Sequence, residues 1–290
     1  MTTTNTDVIM NQPRRVKALR SMVETVADRV APLVDLYRPY VDGLHDLPAD
    51  GRFLLVGNHT QAGAEGMLIP LLVRRVLGRR VRPLADRNFG RMGGLPGDLL
   101  AAAGAVVGAP ETARELMRHD EPILVFPGGG REISKFKGEE YVLRWQGRSG
   151  FARLAAEYRY PIVPVGLVGG DDVYRSFTTR DGAWGRLSQG LTTRLSGRSD
   201  MAMPLLRGIG PTLIPRPQRM YLRFGKHIDA AKPARVTEEK WATTVKENTQ
   251  QSLEQILGDL QEIRGSDPYR ELNLLAWRNA TMPTTEQRET

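Results

Sequence analysis

Cysteine is absent from the 290-residue chain. Disulfides, thiolate metal sites and a cysteine nucleophile are thereby excluded. Histidine is scarce, at His45, His59, His119 and His227. That is too few for a multi-histidine centre, although carboxylates could complete a metal site; no metal or bound cofactor is expected. No apolar run approaches the roughly 18 residues of a spanning helix. The least polar stretch, Leu99 to Pro110, is short and rich in Ala and Gly. The opening residues, Met-Thr-Thr-Thr-Asn-Thr-Asp, lack the basic-then-apolar order of a secretory signal. A cytoplasmic protein, soluble or peripheral to the inner face of the membrane, is the expectation. Lysine is scarce too: of 41 basic residues only seven are Lys and the other 34 are Arg.

What is present is enough for a substantial core. Hydrophobic residues make up 40% and charged residues 26%, which excludes a disordered chain or a fibrous one. The formal charge is +8 and unevenly spread. Residues 74–91 carry seven Arg and a single acid, Asp86; residues 201–226 carry Arg207, Arg216, Arg219, Arg223 and Lys226 with no acid. Such segments suit an anionic partner: a membrane surface, a nucleic acid or a phosphorylated ligand. Guanidinium groups bind phosphate bidentately, but Arg richness also follows from genomic base composition.

The apolar spacing alternates between strand and helix. Residues 14–37 place Val16, Leu19, Val23, Val26, Val30, Leu33 and Val34 at helical intervals behind a basic start. This amphipathic helix either packs on the domain or lies in a membrane interface. Phe53–Val56, Val81–Ala85, Ala105–Val107, Ile123–Phe126, Pro161–Val168 and Met220–Phe224 read as strands. Helices are expected at 65–77, 98–103, 150–158 and from Pro110 to His119, with a long amphipathic one from about Trp241 to Ile263. The fold class is therefore α/β: a mostly parallel central sheet flanked by helices, with amphipathic N-terminal and C-terminal helices. Residues 13–275 are expected to form one domain containing an irregular or helical insertion over 171–217. Residues 1–12 and 276–290 are expected to be loose tails.

Ligands in such sheets bind beyond the carboxyl ends of the strands. Two unusual segments fall there. Asn58-His59 follows the first buried strand, and Glu65 opens the next helix six residues after His59. A carboxylate beside an imidazole can fix one ring nitrogen as N–H and leave the other as a base; a lone structural histidine is the plainer reading. Phe126-Pro127-Gly128-Gly129-Gly130-Arg131-Glu132 follows a second strand. Its glycines allow backbone N–H groups to approach a ligand, and Arg131 offers a fixed charge for phosphate or an oxyanion; the plainer reading is a tight turn. The segment fits neither the P-loop nor the dinucleotide fingerprint. G-x-S-x-G and H-E-x-x-H are also missing.

Together these segments resemble the phospholipid and glycerol acyltransferase superfamily, and within it the diacylglycerol-acyltransferase-like branch. Asn58-His59 with Glu65 stands for the Asn-His-acid block, and Phe126-Pro127-x-Gly129-x-Arg131-Glu132 for the block that commonly reads Phe-Pro-Glu-Gly-Thr-Arg. Ile162-Val163-Pro164-Val165-Gly166 stands for the Ile-Val-Pro-Val-Gly block. The resemblance spans about Leu33 to Lys226. It implies catalytic roles for His59 as base and Glu65 as its orienter, and substrate binding by Asn58, Gly128, Gly129, Gly130, Arg131 and Glu132. It implies acyl-CoA as co-substrate and a lipid hydroxyl as acceptor, at an anionic membrane surface. Gly128 replaces a glutamate that helps hold phosphorylated acceptors, which favours a neutral one. The rivals are an esterase-like or thioesterase-like hydrolase and a non-catalytic lipid-binding protein. A nucleic-acid partner is not expected, because no binding module accompanies the charge.

Overall fold

Strands buried on both faces must be apolar at every position, and Leu54–Gly57, Ile123–Val125 and Ile162–Val168 are. The computed structural model describes residues 12–61, 63–86, 94–196 and 202–272. The expected tails at 1–12 and 276–290 lie outside these apart from Gln12. In chain order the elements are α1 (Arg14–Leu36), β1 (Tyr40–Asp42), β2 (Leu54–Gly57), α2 (Glu65–Leu77), β3 (Arg82–Ala85) and α3 (Gly94–Ala102). Then come β4 (Val106–Val107), α4 (Pro110–Arg118), β5 (Ile123–Val125), α5 (Gly130–Ile133), α6 (Gly150–Tyr158) and β6 (Ile162–Val168). The last are β7 (Arg175–Ser176), α7 (Ala183–Ser196), β8 (Leu206–Arg207), β9 (Tyr221–Phe224) and α8 (Glu238–Ser266).

Among the described residues the main sheet has seven strands, ordered β1-β9-β6-β2-β5-β3-β4. All neighbouring pairs are parallel except β6 with β9. The expected α/β architecture, mostly parallel with long terminal helices, is what the chain adopts. Sequence patterning did not single out β1, a three-residue strand whose partner β9 lies some 180 residues later.

Alternation along each strand divides the core. Leu54 and Val56 join one cluster with Leu116 from α4, Ala152 and Ala155 from α6, and Leu253, Ile256 and Leu257 from α8. Phe53 and Leu55 join the other with Leu68, Ile69, Leu72 and Val73 from α2. Each strand side chain buried this way contributes about 1.5–3 kcal/mol.

The N-terminal helix packs on the protein. Val16 is buried, Arg15 pairs with Asp98 of α3 at 3.1 Å, and Gln12 donates to the Ala101 carbonyl at 2.8 Å. Arg74 and Arg75 at the end of α2 reach back to Asp28 and Asp35 of α1. Other arginines of the two basic segments are similarly engaged: Arg79 on the Asp120 carbonyl, Arg82 on the Gly104 carbonyl, Arg219 on Asp267, and Arg223 on Asp42 and Asp259. Much of the local charge excess thus holds elements together. Arg87 and Arg91 lie outside the described residues.

The 171–217 stretch contains a 3₁₀ turn at Gly170–Asp172, the β7–β8 antiparallel pair and α7 between them. No helix among the described residues is long and apolar enough to cross a membrane.

Candidate active site

β5, β2 and β6 are adjacent and parallel, so their carboxyl ends bring His59, the glycine-rich turn and Gly169–Asp172 to one edge. Glu65 arrives from the first turn of α2. It is fully buried, and its carboxylate accepts from His59 Nδ1, from the Thr60 N–H at 3.1 Å and from the Thr60 hydroxyl. The dyad expected from the sequence is therefore assembled. Because Nδ1 faces Glu65, Nε2 is the nitrogen left for a ligand, and the His59 side chain is 20% exposed.

The ring is held from its other side. Phe126 stacks on it, with centroids 4.6 Å apart and planes 20° from parallel. Gly57 makes room: a Cβ there would sit 3.1 Å from the Val165 carbonyl oxygen and 3.2 Å from the Phe126 ring. Gly170 serves Thr60 in the same way, since a Cβ on it would lie 2.7 Å from Thr60 Cβ.

Asn58 and Glu132 are brought to the site, with their polar atoms turned to the protein's own backbone. The Asn58 amide donates to the Leu167 carbonyl and accepts from the Leu167 N–H, both at 2.9 Å. It extends the β2–β6 ladder by one side chain and fixes where His59 emerges. Glu132 is fully buried and accepts from the His59 N–H at 2.8 Å and the Arg144 N–H at 2.9 Å. Burial raises its carboxyl pKa above the usual range, while those two N–H donors pull against the rise.

The glycine-rich turn explains itself at two positions. Gly129 has φ +54° and ψ −140°, which favours glycine. A Cβ on Gly128 would fall inside the Glu132 carboxyl group. Glu132 thus occupies the space that a side chain at 128 would need. It cannot swing away without abandoning the two N–H groups it satisfies. Gly128→Ala is expected to cost about 1–3 kcal/mol of stability. In a Glu132→Ala background the same change should cost far less, leaving a coupling of about 0.5–3 kcal/mol in urea unfolding. Equal penalties in the two backgrounds would show that the residues do not compete for space.

Gly129 donates its N–H to the Phe126 carbonyl at 3.0 Å. Arg148 donates to the carbonyls of Pro127 and Gly128 at 3.0 and 3.3 Å, bracing the turn from outside. Arg131 sits half-buried on the short α5 that the turn leads into. Sequence reading gave no site role to Arg148 or Thr60, and quoted Phe126 only as the first residue of the glycine-rich segment. Thr60 carries a local signal, being next to His59; Arg148 follows from no spacing rule.

Beneath the site is a buried ion pair. Lys135 Nζ donates to Asp171, and both side chains are at most 1% exposed. Asp171 also accepts from the Gln61 N–H at 3.0 Å and the Tyr141 N–H at 2.9 Å. Gln61 in turn donates to the Lys135 carbonyl at 2.7 Å. This cluster joins the loops after β2, β5 and β6. No group of three or more His, Asp or Glu suited to a metal occurs among the described residues.

A family model described as acyltransferase matches residues 38–168, a span containing His59, Glu65 and the whole glycine-rich turn. Over those residues the chain matches the acyltransferase family. Relatives include phytyl ester synthase 2, chloroplastic, of Arabidopsis thaliana, 30% identical over 257 residues, covering 80% of this chain and 35% of that protein. An uncharacterized Mycobacterium leprae protein is 30% identical over 243 residues, 78% of this chain and 62% of the relative. The human DGAT1/2-independent enzyme synthesizing storage lipids is 29% identical over 146 residues, 50% of this chain and 44% of that protein. The chain thus spans about a third of the plant relative's length.

Proposed function

We propose that the protein transfers a fatty acyl group from acyl-CoA to the hydroxyl of a neutral lipid, a long-chain alcohol or diacylglycerol, at a membrane's cytoplasmic face. The observation that carries this reading is the His59–Glu65 dyad, with Nδ1 turned to the carboxylate and Nε2 turned away. His59 Nε2 takes the acceptor's proton, and the oxygen attacks the thioester carbonyl. The tetrahedral oxyanion is stabilised by backbone N–H groups of the turn, Gly128 and Gly130 in this scheme, since Gly129 donates to Phe126. Collapse breaks the C–S bond, and the imidazolium returns its proton to the coenzyme A thiolate. Arg131 positions the phosphates of the donor or the acceptor's headgroup. The chain has no cysteine to carry an acyl group, and a direct transfer needs none.

The neutral acceptor is supported by Gly128, which stands where phosphate-accepting relatives place a glutamate, and by Glu132, whose carboxylate fills that space while bound to two backbone N–H groups. The names of the relatives, a phytyl ester synthase and an enzyme synthesizing storage lipids, agree with it. The test is purified protein with radiolabelled palmitoyl-CoA and phytol, diacylglycerol, monoacylglycerol, lysophosphatidate or no acceptor. Label in a neutral ester is expected. Label in phosphatidate would overturn the acceptor, and free fatty acid as sole product would replace the transferase by a hydrolase.

A further inference from the structure

The segment between β6 and β9 carries an apolar face on which none of the described residues packs. Trp184, Leu187 and Leu191 recur at three- and four-residue intervals along α7, so they share one side of the helix. The Trp184 indole donates to the Met203 carbonyl at 3.0 Å, placing Met203 beside that stripe. Phe177 donates its N–H to the Leu205 carbonyl two residues further on. Phe177, Leu187, Leu191 and Met203 are each 56–69% exposed. Beyond β8, the loop closed by the Gly208–Thr212 and Ile209–Ile214 hydrogen bonds holds out Ile209, Leu213 and Ile214. So much exposed apolar surface in one excursion marks an interaction site.

Charge identifies the occupant. Arg175, Arg186, Arg194 and Arg207 are exposed and make no ion pair among the described residues. No acid occurs at 182–196 or from 202 to 228. A second copy would bring two such arginine sets together. An anionic bilayer meets both demands, taking the apolar side chains below its headgroups and the guanidinium groups among them. α1 differs: its Asp28 and Asp35 pair with arginines of α2, and it packs on α3.

The excursion is anchored to the candidate active site. Thr178 accepts from the Lys137 N–H at 3.0 Å. Arg180 makes a two-pronged pair with Glu139 at 2.8 Å and donates to the Ser134 carbonyl at 2.8 Å. A single residue separates 134–139 from Glu132.

We propose that the face built by α7 and the β7–β8 pair docks on anionic lipid, holding the glycine-rich turn against the surface from which the acceptor is drawn. Its purpose rests on the acyltransferase reading; its test does not. Wild-type protein is expected to float with phosphatidylcholine vesicles containing phosphatidylglycerol, and much less with phosphatidylcholine alone. Leu187→Ser with Leu191→Ser is expected to lower that partitioning by at least about tenfold, while Met22→Ser with Val26→Ser on α1 leaves it unchanged. Because the chain lacks cysteine, Leu187→Cys and Met22→Cys can each carry a single environment-sensitive fluorophore. Only the label at 187 should shift to the blue on adding anionic vesicles, which decides the matter even if the double serine variant fails to fold. Absence of vesicle binding, binding that ignores the α7 substitutions, or a wild-type dimer that the substitutions turn into monomer would each overturn the proposal. Transfer to a short-chain, water-soluble acceptor, retained in the α7 variant, would separate docking from chemistry.

Discussion

His59→Ala is expected to lower kcat for acyl transfer by about 10²–10⁴-fold, the range typical of a positioned general base. The substituted protein should fold, because the ring is partly exposed and its removal uncovers only the Phe126 face, while Glu65 keeps the Thr60 N–H and hydroxyl as donors to its two oxygens. Glu65→Gln is the sharper test. The isosteric amide keeps the volume of a fully buried side chain but replaces one acceptor oxygen by an NH₂ group. That group would face either His59 Nδ1 together with the Thr60 N–H, or the Thr60 hydroxyl. In the first case the imidazole takes the tautomer with its proton on Nε2, where a base is needed. A fall of about 10²-fold or more is expected, comparable in kind to the loss seen when a triad aspartate becomes asparagine. Residues acting as one unit are not additive. The double variant should therefore be no slower than His59→Ala alone. A folded His59→Ala protein with more than a tenth of wild-type turnover would remove His59 from the chemistry.

The parts of this arrangement that the sequence made legible are those coded locally. β2, α2, β5 and β6 announce themselves by short apolar runs and helical spacing, and α2 begins and ends where its pattern does. His59 and Glu65 could be paired because six residues of one strand–helix turn separate them. Glu132 was legible only as part of a motif. Its partners are the N–H groups of His59, 73 residues away, and Arg144, and no periodicity reports a side chain that folds back under its own turn. Asn58 is a similar case, since its amide reads the backbone of a strand 109 residues later. The arginine-rich segments were legible as charge and misleading as surface: Arg219 and Arg82 are buried. Composition counts charges and is blind to the carboxylates and carbonyls that meet them. The apolar face of α7 was hidden for the converse reason, because the same spacing describes a helix that packs and one that does not.

The largest stability effect is expected where two buried charges share one site. Lys135 and Asp171 lie some 36 residues apart and join three loops. Removing one member of such a pair typically costs about 3–5 kcal/mol, because the other is left buried without a counter-charge. Lys135→Met and Asp171→Asn should each lower Tm steeply, yet they should differ in how the loss depends on pH. Burial already pushes the Asp171 carboxyl pKa up, and the Lys135 ammonium opposes that push. Without Lys135 only the Gln61 and Tyr141 N–H groups oppose the rise, so the folded state binds a proton that the unfolded chain has released. Stability of Lys135→Met is then greatest in acid and falls as pH climbs from about 4, the ordinary carboxylate value, to the raised folded value. Asp171→Asn removes the carboxyl group and with it this pH dependence. Urea unfolding of both variants at several pH values reads the two slopes directly. Parallel profiles would mean that loop packing, rather than this ion pair, holds the floor of the site together.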